Sequence, residues 1–196
     1  MSLDSAGADG RPRHARKPGR SRWIVEWIVV LVLALGLALG LRTFVVQTYS
    51  IPSVSMFPTL KIGDRILVDK LSYHLHAVHR GDIIVFATPP KEVPILMVSD
   101  LVKRVIGLPG ETISSGPRGE VLIDGKIIDQ PWLTRSARQN PGRAIKTQTI
   151  PKGDVFVMGD NRGSSDDSRF YGPIPESLIV GRATLGFWPL SRIHWL

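Results

Sequence analysis

The sequence predicts a mostly β domain, built as antiparallel sheet, carried behind a single N-terminal transmembrane helix. Three observations predict it. An apolar run near the N-terminus holds no charge from Trp27 to Leu41. Short apolar segments separated by turn residues follow it. No long amphipathic helical pattern appears beyond the run, which leaves sheet to form the core.

Counted back to Trp23, the run WIVEWIVVLVLALGLALGL is 19 residues and includes one acid, Glu26. At about 1.5 Å per residue it crosses a hydrocarbon core of about 30 Å with slight thinning or snorkelling. It is apolar on every face, unlike a helix packed on a soluble core. The next residues, RTFVVQTYS, offer no small side chains at −3 and −1, so the run reads as an uncleaved anchor and not a cleavable leader. Residues 1–22 carry Arg11, Arg13, Arg16, Lys17, Arg20 and Arg22 against Asp4 and Asp9, half of the chain's net +8. A basic block before an apolar run is the positive-inside signal, and anionic headgroups attract it. The organisation expected is a disordered cytoplasmic tail over 1–22, an anchor over 23–43 and an extracytoplasmic catalytic β domain over 44–196. Trp23 and Trp27 suit the membrane interface.

Several classes are excluded. With no cysteine, there is no thiol nucleophile, thiolate zinc site or disulfide framework. Nucleic-acid binding needs a basic face interleaved with aromatics in the folded part, and none is seen. The histidines of HLHAVH, His74, His76 and His79, have no carboxylate among them and read as solvated loop residues. No metal or cofactor is expected.

The strand segments are RILVDKL (65–71), DIIVFA (82–87), LVKRVIGL (101–108), DVFVM (154–158) and LIVGRATLGFW (178–188). VLIDGKII (121–128) reads as a hairpin, because Asp124-Gly125 suits a type I′ turn. The polar, aperiodic stretch 129–150 reads as a surface loop or a poorly ordered ribbon. Trp188 and Trp195 are expected to cover core or membrane surface.

Three segments hold side chains suited to chemistry. In Ile51-Pro52-Ser53-Val54-Ser55-Met56-Phe57-Pro58-Thr59-Leu60, two prolines stiffen a segment with two serines. In LVKRVIGLPG, Lys103 is flanked by apolar strand residues, and burial would lower its pKa toward that of a working base. Gly159 to Arg169, GDNRGSSDDSR, is dense in hydrogen-bonding side chains behind an apolar strand. Its acids do not fit an EF-hand. Taken singly, each segment also reads as plain structure: a turn, an outward lysine, an exposed polar loop.

Together, and in this order behind an anchor, IPSVSMFPTL, KRVIGLPG and GDNRGSSDDSR resemble the type I signal peptidase family, over roughly residues 44–190. The GDIIVF strand also fits. The resemblance implies a serine endopeptidase with a serine/lysine dyad that cuts signal peptides from exported preproteins. It implies Ser55 as nucleophile and Lys103 as general base. Ser53 and the Ser55 N–H would hold the oxyanion, and Ser165 would hydrogen-bond and orient Lys103. Asp167 and Arg169 would brace the loop as an ion pair near Arg104. Ile51, Pro52, Met56, Leu60, Leu101 and Val102 would line the pocket for the small residue before the cut, and Tyr49 the deeper −3 pocket. The chain departs from the common pattern at Val54, where glycine is frequent, at Ser164 for asparagine, and at Leu101 for an aromatic. The partners implied are preproteins, the lipid bilayer and nearby secretion machinery. An exposed apolar surface at Met56 and Phe57 is expected to touch lipid. Two other functions compete. A serine/lysine protease of a regulatory protein is disfavoured by the anchor and by the lack of a DNA-binding region. A non-catalytic tethered module is disfavoured by the intact Ser55, Lys103 and Ser165.

Overall fold

The computed structural model describes residues 20–90 and 98–196, save the side chains of 20–22 and 41–44. The basic tail, expected to be disordered, lies outside the described residues up to position 19. The chain divides at Gly40 into two units.

Helix α1 spans Arg20–Phe44 and contains the expected anchor. Its stretch Trp23–Gly40 is long and apolar enough to cross a membrane, and none of it is buried. The helix begins before Trp23 because nothing in Arg20-Ser21-Arg22 breaks it.

Among the described residues, the second unit holds twelve strands. They are β1 (Val46–Ser50), β2 (Arg65–Asp69), β3 (Ile83–Ala87), β4 (Asp100–Gly107), β5 (Thr112–Ser115) and β6 (Val121–Ile123). There follow β7 (Lys126–Ile127), β8 (Gln148–Thr149), β9 (Asp154–Met158), β10 (Ile174–Pro175), β11 (Ile179–Trp188) and β12 (His194–Trp195). Eight form one sheet in the order β1-β2-β11-β3-β4-β9-β10, with β12 on β11; a second sheet runs β7-β6-β5-β8. Every pairing is antiparallel. The fold class is as predicted.

Each predicted strand is present. β1, β5, β8, β10 and β12 were not predicted, being short or mostly polar on the surface. The 121–128 hairpin forms with positive φ at both Asp124 and Gly125, as a type I′ turn demands.

Strand alternation sorts the core. Ile83 and Val85 of β3 join Ile66, Val68 and Ala183, while Ile84 and Phe86 join Val105, Val155 and Val157. Phe156 and Met158 of β9 instead pack with Ile113, Val121 and Ile123 of the small sheet. β9 therefore seals the large sheet on one face and docks the small sheet on the other.

Most of the 129–150 stretch is exposed, as a surface loop should be, but it is pinned at intervals and is not a loose ribbon. Gln130, Leu133, Ile145 and Ile150 are buried along it. The short helix α2 (Arg135–Gln139) is capped by Thr134, and Arg138 Nη2 donates to Gln130 O at 2.8 Å. Single apolar anchors spaced without a period hold the segment, which is why no periodic pattern revealed it. Trp188 and Trp195 are 48% and 81% exposed, so neither belongs to the core. Met56 is only 1% exposed and is core, not a lipid-facing residue, while Phe57 is 48% exposed.

Phe156→Ala empties a fully buried site shared by both sheets and is expected to cost about 3–5 kcal/mol. Ile127→Ala, at a 67% exposed position, is expected within about 0.5 kcal/mol of the parent. Urea unfolding of both variants checks this.

Candidate active site

The segment after β1 is a closed loop. Ile51 N–H donates to Asp64 O and Gly63 N–H to Ile51 O, both at 2.9 Å. Ile51, Met56 and Leu60 sink into the core from it. These anchors leave Ser53-Val54-Ser55 spanning the surface between them. Ser55 is 8% exposed, and its Oγ lies 3.3 Å from Ser53 Oγ. The Ser55 N–H meets no acceptor among the described residues.

Lys103 sits on β4 opposite Ile84 and is 3% exposed. Its Nζ holds no hydrogen bond among the described residues. Burial pushes its pKa down to about 8; the Asp167 and Asp166 carboxylates oppose that shift, and Arg169 adds to it. The next residue, Arg104, points elsewhere. It forks onto Asp160, Nε to Oδ1 at 2.9 Å and Nη2 to Oδ2 at 2.7 Å. Alternation along β4 thus separates a charge-paired arginine from an unpaired lysine.

The loop after β9 brings the segments together. Gly159 passes so close that a Cβ there would lie 2.4 Å from Ser55 O and 2.3 Å from Ser165 Oγ. Asn161 clamps the serine turn, its N–H donating to Ser55 O at 3.0 Å and its Nδ2 to Val54 O at 3.1 Å. Asp160 also accepts from Thr59 Oγ1 at 2.6 Å.

Asp167 is wholly buried and caps the short helix α3 (Ser168–Tyr171). It forms the expected ion pair: Arg169 donates from Nε to Oδ1 at 2.8 Å and from Nη2 to Oδ2 at 2.7 Å. It also accepts the Gly159 N–H at 3.0 Å and the Ser165 hydroxyl at 2.8 Å. The Ser165 proton is therefore committed to Asp167, and no Ser165–Lys103 hydrogen bond is present; only the oxygen's lone pairs face other donors. Arg162 donates to Gly159 O at 3.1 Å and to Gln130 Oε1, and Trp132 stacks on Arg104 at 4.8 Å.

Ser53, Ser55 and Lys103 line one cleft of about 620 Å³. Tyr49, Ile51, Pro52, Met56, Leu101 and Val102 line it too. Leu60, expected there, does not: it is fully buried in the core beneath the loop. The sequence reading missed Thr59, Gln130, Trp132, Asp160 and Asn161. Asp160 and Asn161 stood inside the quoted loop motif and Thr59 inside the serine segment, so their place was visible but not their partners. Gln130 and Trp132 carried no signal. His74, His76 and His79 are exposed, and no metal-holding cluster occurs among the described residues.

The family model "Signal peptidase, peptidase S26" matches residues 24–188. A signal peptidase I of Leptolyngbya laminosa is 41% identical over 155 residues, covering 78% of this chain and 74% of its own. A probable signal peptidase I-1 of Synechocystis sp. is 42% identical over 156 residues, covering 78% and 76%. A signal peptidase I of Bacillus caldolyticus is 40% identical over 164 residues, covering 78% and 85%. The chain belongs to the signal peptidase family, peptidase S26. It is a serine endopeptidase.

Two substitutions test the scaffold. Gly159→Ala drives a Cβ into Ser55 O and Ser165 Oγ and is expected to lower kcat/KM about 10²-fold, read with a chromogenic or fluorogenic peptide. Asp160→Asn leaves the buried Arg104 without its counter-charge and is expected to cost about 3–5 kcal/mol in denaturant unfolding.

Proposed function

We propose that this enzyme removes N-terminal signal peptides from exported preproteins, with Ser55 as nucleophile and Lys103 as general base. The single observation that carries the residue assignment is the buried, unpaired Lys103 sharing a cleft with Ser55. A buried lysine with a depressed pKa is neutral for a useful fraction of the time near pH 8, and a neutral amine takes a hydroxyl proton. Ser55 attacks the scissile carbonyl, the amine side leaves with the proton from Lys103, and water releases the acyl-enzyme. The Ser55 N–H and the Ser53 hydroxyl receive the oxyanion. Ser165, its own proton held by Asp167, keeps oxygen lone pairs that an N–H of Lys103 can donate to when the amine swings toward it, which is how it would orient the base. Asp167, Arg169 and Arg104 brace these groups. Apolar lining by Ile51, Pro52, Met56, Leu101 and Val102 suits a small side chain before the cut, with Tyr49 at the −3 position.

β4 adds a docking edge. Its residues Asp100–Lys103 pair with β3 but lie beyond the β9 register, which begins at Arg104. An extended peptide bonds to such an edge. The anchor α1 crosses the cell membrane once, with the basic tail in the cytoplasm and the domain from 44 onward outside. Confinement to one layer raises the effective concentration of enzyme and inserted preprotein, close to the lipid and the secretion machinery.

Full-length protein in detergent, given a preprotein with an Ala-x-Ala site, is expected to cut after the second alanine. Ser55→Ala and Lys103→Ala are each expected to lose about 10⁴–10⁶ in rate. Because the working form is the neutral amine, kcat/KM rises as pH passes upward through about 8 and falls below it. A pH-independent rate with chemistry limiting would remove Lys103 from the role.

A further inference from the structure

Among the described residues, two carboxylates line the cleft, Asp100 and Asp166. Neither forms an ion pair among the described residues. Asp64, Asp82, Glu111, Asp160 and Asp167 each meet an arginine. Among the described residues, Lys103 is the one cation lining the cleft, and it is neutral in the working enzyme. From those residues a bound substrate therefore meets two unpaired negative charges and no positive one.

The two occupy different ends of the reaction. Asp100 bears on the Tyr49 phenol, whose pKa is raised by burial and then by that charge. Asp166 bears on the Lys103 amine. The base that takes the serine proton passes it to the leaving amine, so groups around that base face the first residues after the cut. Asp167 is near as well, but it is wholly buried and saturated by Arg169, Ser165 and the Gly159 N–H. Asp166 is exposed at the cleft and open to a substrate side chain.

We propose that Asp166 is a specificity-determining residue for the leaving side of the substrate. Its carboxylate favours a cationic side chain at the first or second position after the cut and disfavours an acidic one. This rests on the assignment of Ser55 and Lys103 as the dyad.

The test uses peptides with a common Ala-x-Ala segment that differ only in Lys, Gln or Glu at the first position after the cut, with a second trio at the next position. kcat/KM is measured for the full-length enzyme, D166N, D166K and D100N. Ratios are taken between peptides on one enzyme, so any change in Lys103 protonation cancels. At low salt the parent is expected to prefer Lys over Glu about three- to tenfold at one of the two positions. D166N brings that ratio close to one, D166K inverts it, and about 0.5 M salt compresses it in the parent. The proposal is overturned if the parent shows no preference at either position, or if the preference survives D166N and D166K. It is equally overturned if the preference follows D100N instead. A purely structural Asp166 lowers all peptides in proportion and leaves their ratio alone, which also overturns it. Folded parent enzyme that cuts none of the peptides fails at the dyad itself, a distinct result from uniform cleavage of all of them.

Discussion

The carboxylate of Asp160 joins the segments that carry Ser55 and Lys103. It accepts from Thr59 on the serine loop and from Arg104 beside Lys103 on β4. Its own chain continues into Asn161, which holds the two carbonyls around Ser55. One buried group thus fixes three stretches of chain far apart in sequence. Burying Asp160 unpaired would be costly, so each partner is held in place by the demand for the others.

Around that junction the loop uses opposite strategies for neighbouring charges. Arg104 and Arg169 each take both oxygens of a carboxylate. Lys103, the residue before Arg104 on β4, takes none and is left to lower its pKa by burial. The contrast is economical in sequence, because consecutive residues of β4 point to different sides. It also explains why Gly159 has no room for a side chain: the backbone must pass between Ser55 and Ser165 for the charges to be placed at all.

Much of this was legible beforehand. Short apolar runs between turn residues located β2, β3, β4, β9 and β11, and Asp124-Gly125 located the hairpin, because buried strands and positive φ leave marks in the residue order. The family resemblance pointed to Ser55, Lys103 and the 159–169 loop, and the fold brings all three together. What was not legible depends on partners distant in the chain. Leu60 reads as a pocket residue and Met56 as one that also faces lipid, yet both are buried bolts that hold the serine loop down, and only Met56 also lines the cleft. Gln130 and Trp132 lie in an aperiodic stretch, and only the fold sets them on Arg162 and Arg104. Ser165 was expected on the lysine, but a buried acid two residues away holds its proton first.

The long sequence separations across the Asp160 junction set a length threshold for activity. Ser55 and Lys103 both precede the loop that shapes their surroundings. A chain that stops short of Asp160 has the proposed dyad without the clamp on Ser55 and without the charges around Lys103. Partial products of synthesis or degradation are thereby expected to be poor proteases.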